Sequence, residues 1–135
     1  MTVAVAHQAS STSRTLALHE AGREAKLRGT DLAVLHVVDS LDLDVEQAYR
    51  HGLRDDVESA LAEVGASGVS WQLHLATARD DVAETILDLA TQVNARLLII
   101  GARRRSPVGK ALLGSVAQTL ILEADVPVLV VKAPN

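Results

Sequence analysis

An α/β architecture is what this sequence predicts: one parallel sheet of five strands, doubly wound by four helices. Three observations lead there. Four of the strand-like segments are nearly unbroken runs of Val, Leu, Ile and Ala, the pattern of parallel strands covered on both faces. A segment with helical spacing separates each run from the next, giving the order β-α-β-α-β-α-β-α-β. No linker, repeat or shift in composition divides the 135 residues, so a single domain over 1–135 is expected.

The buried strands are "TVAVA" (Thr2–Ala6), "DLAVLHVV" (Asp31–Val38), "ARLLIIG" (Ala95–Gly101) and "VPVLVV" (Val126–Val131). A further strand, "VSWQLHLA" (Val69–Ala76), alternates, with Val69, Trp71, Leu73 and Leu75 on one side. Alternation suits an edge strand with one wetter face. The first helix opens on hydroxyl residues suited to capping, carries Ala17, Ala21 and Ala25 four apart, and stops at Gly29. The second places Val45, Tyr49, Leu53, Val57 and Leu61 on one stripe and stops near Gly65. The third starts at Asp80 or Asp81 and buries Val82, Ile86, Leu89 and Val93. The fourth runs from about Gly114 to Ala124, with Ser115 available as its cap. Pro127 cannot continue that helix and fits the start of the last strand.

Composition narrows the function. The only aromatic residues of the Phe/Tyr/Trp type are Tyr49 and Trp71, so a ring ligand would meet aliphatic walls rather than stacking partners. The absence of cysteine excludes disulfides, thiolate chemistry and cysteine metal sites. A formal charge of −4 supplies no global basic face, so no nucleic-acid partner is expected. The first residues lack the charged start and apolar core of a signal peptide, and no apolar run has the length of a membrane span. A cytoplasmic protein without a membrane partner is the expectation.

Doubly wound sheets bind ligands beyond the carboxyl ends of their strands, where the strand order reverses. In the order 3-2-1-4-5 that crevice lies between the first and fourth strands. Its walls come from Ala4 to Gln8 and from Gly101 onward. The segment "GARRRSPVGKALLGS" (Gly101–Ser115) leaves the fourth strand and ends at a helix start. Such a start offers unpaired N–H groups and partial positive charge to an anion. Gly109-Lys110 is not a Walker loop, because the first glycine is misplaced and Ala111 stands where Ser or Thr would hold magnesium.

These residues resemble the universal stress protein family, and the resemblance covers essentially the whole chain. It rests on the strand order, on "LHVVD" closing the second strand, and on "IIGARRRSPVGKALLGSVAQTLILEADVPVLVV". It implies a Rossmann-like fold and a nucleotide loop reading Gly, two residues, Gly, nine residues, Gly, then Ser or Thr. Gly101, Gly114 and Ser115 fit that spacing, and Arg104 replaces the middle glycine. The family also carries an aspartate at the end of the first strand, where this chain has Ala6, or His7 if the register slips by one.

The resemblance thus implies ATP, AMP or cyclic AMP as ligand. Gly101, Arg103, Arg104, Gly114, Ser115 and Val116 would hold phosphates, and Ala4, Ala6, Val37 and Ile100 would frame base and sugar. It also implies a homodimer paired through the last strand, Val126–Val131, and protein partners that respond to the ligand. Two consequences of Arg104 stay open. Its side chain could fill the phosphate pocket, or Arg103, Arg104 or Arg105 could bind phosphate through charge-assisted bonds. A dimeric scaffold of the same fold that binds no nucleotide is the alternative.

Other residues are read more plainly. His36 lies within a buried strand and is expected to be a hydrogen-bonded core residue, His7 a turn residue. Lys110 reads as a surface lysine, Asp39 as a turn or capping residue. His19, His51 and His74 share no metal-binding spacing. No nucleophile–base pair, carboxylate pair or metal set stands out, so neither an enzyme nor a tightly bound metal is expected.

Overall fold

A computed structural model describes residues 2–7, 12–38, 43–78, 81–102 and 114–132, without the side chains of 12–14 and 43–49. The elements alternate: β1 (Thr2–Ala6), α1 (Thr12–Arg28), β2 (Asp31–Val38), α2 (Leu43–Glu63), β3 (Trp71–Thr77), α3 (Val82–Gln92), β4 (Ala95–Ala102), α4 (Ser115–Glu123) and β5 (Val128–Lys132). The strands form one sheet in the order β3-β2-β1-β4-β5, every pair parallel. The strand order reverses at β1, whose register sets Ala6 beside Leu35 on one side and Ile100 on the other.

Alternation along each strand splits the core in two. Val3, Val5, Leu32, Val34, Leu97 and Ile99 face one way and bury Ala17, Leu18, Ala21, Val57 and Leu61 of α1 and α2. Ala4, Ala6, Ala33, Leu35, Leu98 and Ile100 face the other way and meet Ala83, Ile86 and Ala90 of α3 and Leu120 of α4. Both faces are therefore dry, which is why these strands read as unbroken apolar runs. At the β3 edge, Trp71 and Leu73 pack against the first cluster while Gln72 is exposed. The Arg54 guanidinium lies 5.5 Å from the Trp71 ring centroid.

The helix stops have a common cause. Gly29 and Gly65 adopt φ of +66° and +68°, backbone that an L side chain resists. Each ends its helix with a crossed pair of bonds: Gly29 N–H to Lys26 O and Thr30 N–H to Ala25 O, then Gly65 N–H to Ala62 O and Ala66 N–H to Leu61 O. At the start of α3, the Asp81 carboxylate accepts the Ala83 N–H at 2.9 Å. Asp80 lies outside the described residues, as do the side chains of Val45 and Tyr49.

Several predicted boundaries move. β3 begins at Trp71 rather than Val69, because the Val69 N–H closes a turn onto Ala66 O at 3.0 Å. β5 begins at Val128 rather than Val126; Pro127 contributes only its carbonyl, which accepts the Leu98 N–H at 3.0 Å. On α3 the most buried residues are Ala83, Ile86 and Ala90, whereas Val82, Leu89 and Val93 flank them. Small side chains let the helix approach the sheet, and the larger ones spread to either side. Ser115 is the first helical residue of α4, not its cap; that position belongs to Gly114, with no side-chain capping bond.

Candidate functional site

The crevice begins where β1 stops. Pairing between β1 and β4 ends at Ala6 and Ile100, but β4 continues through Gly101 and Ala102, which still pair with Val131 and Lys132 of β5. Leu98 donates its N–H to the β5 side, so backbone groups of alternate residues, Gly101 among them, point to the β1 side. On the other wall, Leu35 O accepts the His7 N–H and Val38 O accepts the Ala78 N–H. By the same alternation, the N–H and C=O of Val37 are aimed past the end of β1.

The predicted framing residues gather on the α3/α4 face. Ala6 and Ile100 are neighbours there, buried in the second cluster, with Val37 and Val116 half-buried against it. Ala4 belongs to the same cluster one pleat lower and has no exposed surface. Gly114 and Ser115 are exposed at the open start of α4, where Gly114 O accepts the Gln118 N–H. A Cβ at Gly114 would meet nothing within 4 Å among the described residues. Arg103, Arg104, Arg105 and Lys110 lie outside the described residues, as do Asp39 and the tail after Lys132.

Sequence reading missed a pair of imidazoles beside this mouth. His36 is buried as expected, and His7, just past the end of β1, is buried as well, at 3 % exposure. Their rings are 5.2 Å apart, with Nδ1 to Nδ1 at 3.1 Å. His36 Nδ1 also lies 2.6 Å from His7 O. A carbonyl only accepts, so His36 carries its proton on Nδ1, and His7 Nδ1 faces that proton with a lone pair. The signal was present in the register: once Ala6 stands beside Leu35, His7 and His36 are the next facing pair.

Surface cavities of about 300 and 340 Å³ occur at the amino ends of the strands, lined by residues such as Thr2, Asp31, Ser70 and Trp71, or Lys26, Gly65 and Val69. They contain none of the predicted site residues and lie at the end of a wound sheet that does not ordinarily bind ligands. Among the described residues, no group of three or more His, Asp or Glu side chains is arranged to hold a metal. No described helix is long and apolar enough to cross a membrane.

Comparison with known proteins gives this geometry its family. The model of the universal stress protein family matches residues 1–132. The chain belongs to the universal stress protein family. A universal stress protein of Mycolicibacterium smegmatis is 43 % identical over 110 residues, 81 % of each chain. Among solved structures, a universal stress protein from Archaeoglobus fulgidus superposes with a TM-score of 0.78 at 30 % identity, covering 98 % of both chains. The structure of the universal stress protein from Archaeoglobus fulgidus in complex with dAMP gives a TM-score of 0.71 at 27 % identity, again over 98 % of both chains. The family's five-stranded order is the order found here.

Proposed function

We propose that this universal stress protein binds an adenine nucleotide, ATP, AMP or cyclic AMP, in the crevice between β1 and β4. The observation that carries the reading is the staggered end of the sheet. β1 pairing stops at Ala6 while β4 runs on to Ala102, and Val37 and Gly101 turn backbone polar groups toward the gap. Aliphatic side chains of Ala6, Val37 and Ile100 offer a base and sugar flat, apolar support above Ala4. The amides that open α4 at Ser115 and Val116, after Gly114, offer phosphate a site of matching charge. A relative of 27 % identity and matching fold was solved with dAMP, which supports the ligand class.

In this proposal Arg103 and Arg104 supplement the amides with charge-assisted bonds to phosphate. The protein acts by binding, changing its contacts with protein partners in the stress response, rather than by turnover. A homodimer forms through β5, whose Val128, Leu129, Val130 and Val131 are half-buried on an edge strand that an antiparallel copy would cover. A second reading, a dimeric scaffold without nucleotide, is favoured by two departures in the sequence: Arg104 stands in place of the loop's middle glycine, and Ala6 offers no polar side chain where family members carry an aspartate.

Two measurements separate the readings. Denatured protein is chromatographed for released adenine nucleotide, and the stripped protein is titrated calorimetrically with ATP, AMP and cyclic AMP. Release or saturable heat supports the first; neither at millimolar ligand leaves the scaffold. Arg104→Gly should weaken ATP if the arginine holds phosphate, and strengthen it if the arginine blocks the pocket. Light scattering at the dimer mass, lost on placing a charge at Val130, tests the β5 contact.

A further inference from the structure

The register of β1 and β2 sets up a hydrogen bond that is not made. With Ala6 beside Leu35, His7 is opposite His36. His7 keeps to this register by donating its N–H to Leu35 O at 2.8 Å. In a parallel ladder the next bond runs from the Val37 N–H to His7 O. Among the described residues that bond is missing, and His7 O instead accepts from His36 Nδ1 at 2.6 Å. Both donors reach the same carbonyl from neighbouring residues of β2, so the imidazole stands in for the backbone amide.

We infer that His36 is a positioning residue of the crevice. Its Nδ1–H takes the His7 carbonyl, ends the β1–β2 ladder one bond early, and leaves the backbone N–H of Val37 facing the gap, on the same side as the Val37 C=O. The 3.1 Å contact with His7 Nδ1 fixes the same proton from a second side and so holds the imidazole in place. His36 is 2 % exposed and stays out of the crevice itself; it acts through Val37. A donor and an acceptor on one rigid residue can pair with the polar edge of a heterocycle, a role that rests on the nucleotide reading above.

Amide hydrogen exchange on the full chain without nucleotide tests the device. The Val37 amide should exchange about 100-fold faster than that of Leu35, which lies inside the ladder. His36→Leu removes the donor; the ladder should then close and Val37 should slow toward Leu35. His36→Asn keeps a short N–H donor and should leave Val37 fast. Long-range nitrogen spectra of the wild type should show His36 protonated on Nδ1, a result that needs no variant to fold. Wild-type Val37 as protected as Leu35, His36 protonated on Nε2 alone, or Val37 still fast in a folded His36→Leu would each overturn the inference. In the ligand arm, AMP affinity should drop about tenfold in His36→Leu and be retained in His36→Asn, the size expected for one hydrogen bond. If AMP binds none of the three, the nucleotide reading fails, and the exchange pattern still decides the role of His36.

Discussion

Alanine at Gly22 should destabilise the domain even though alanine is the better helix former. Gly22 is buried in α1 where it passes α2. A Cβ built there falls 2.7 Å from Leu61 Cδ2, 3.3 Å from Val64 Cγ2 and 3.4 Å from Ala66 Cβ. Helix propensity favours the substitution by about 1 kcal/mol. Against it, overpacking costs roughly 1–3 kcal/mol, and Leu61, at 2 % exposure, is packed within the first cluster. The packing cost wins, by about 1 kcal/mol, or about 3–5 °C in Tm for a domain of this size. The reasoning has a sharper consequence. In a Leu61→Ala background, which by itself costs roughly 2–5 kcal/mol, the clashing atom is gone and Gly22→Ala should become stabilising by about 1 kcal/mol. Urea denaturation followed by far-ultraviolet circular dichroism measures all four proteins of the cycle, with a coupling of about 2 kcal/mol expected. A Gly22→Ala protein more stable than wild type, or a substitution that destabilises equally in both backgrounds, would refute the contact.

Three further substitutions probe other parts of the account. Gly65→Ala, forced to φ +68° at the end of α2, should lose about 1–2 kcal/mol in the same denaturation assay. Asp81→Ala removes the acceptor of the Ala83 N–H and should cost about 1 kcal/mol, whereas Asp81→Asn should cost far less, read by thermal melts. Gly114→Asp should separate stability from binding. Its Cβ meets no neighbour among the described residues, and a carboxylate at the start of α4 should raise stability by roughly 0.3–1 kcal/mol while repelling phosphate, so Tm rises as ATP affinity falls.

The fold was legible because both of its faces are buried. β1 and β2 occupy Thr2–Ala6 and Asp31–Val38, the bounds their unbroken apolar runs predict. β3 and β5 begin two residues later than predicted, for reasons of backbone bonding rather than hydropathy: Val69 spends its N–H on a turn, and Pro127 has none. The stripe read for α3 does pack on the second cluster, but its centre lies on Ala83, Ile86 and Ala90, because hydrophobic periodicity weights large residues whereas close helix–sheet contact favours alanine. At the candidate site, the spacing of Gly101, Gly114 and Ser115 was legible only through the family resemblance, whereas the apolar character of Ala6 and Ile100 could be read from residue type. Val37 could be named, but not that its backbone faces the gap. That depends on the alternation of backbone bonds along β2, which the register fixes and residue type alone does not show. His7 illustrates the same limit: as a polar residue after a strand it reads as a turn, and only its register with His36 buries it.

The most direct test of a ligand in this crevice is an amide nitrogen–proton titration of the stripped protein with AMP. The account predicts saturable shifts centred on Val37, Gly101 and the Gly114–Ala117 amides, with Gly29, Gly65 and Ser70 at the opposite end of the sheet unmoved. Unchanged spectra at millimolar AMP, or shifts centred on that opposite end, would contradict it.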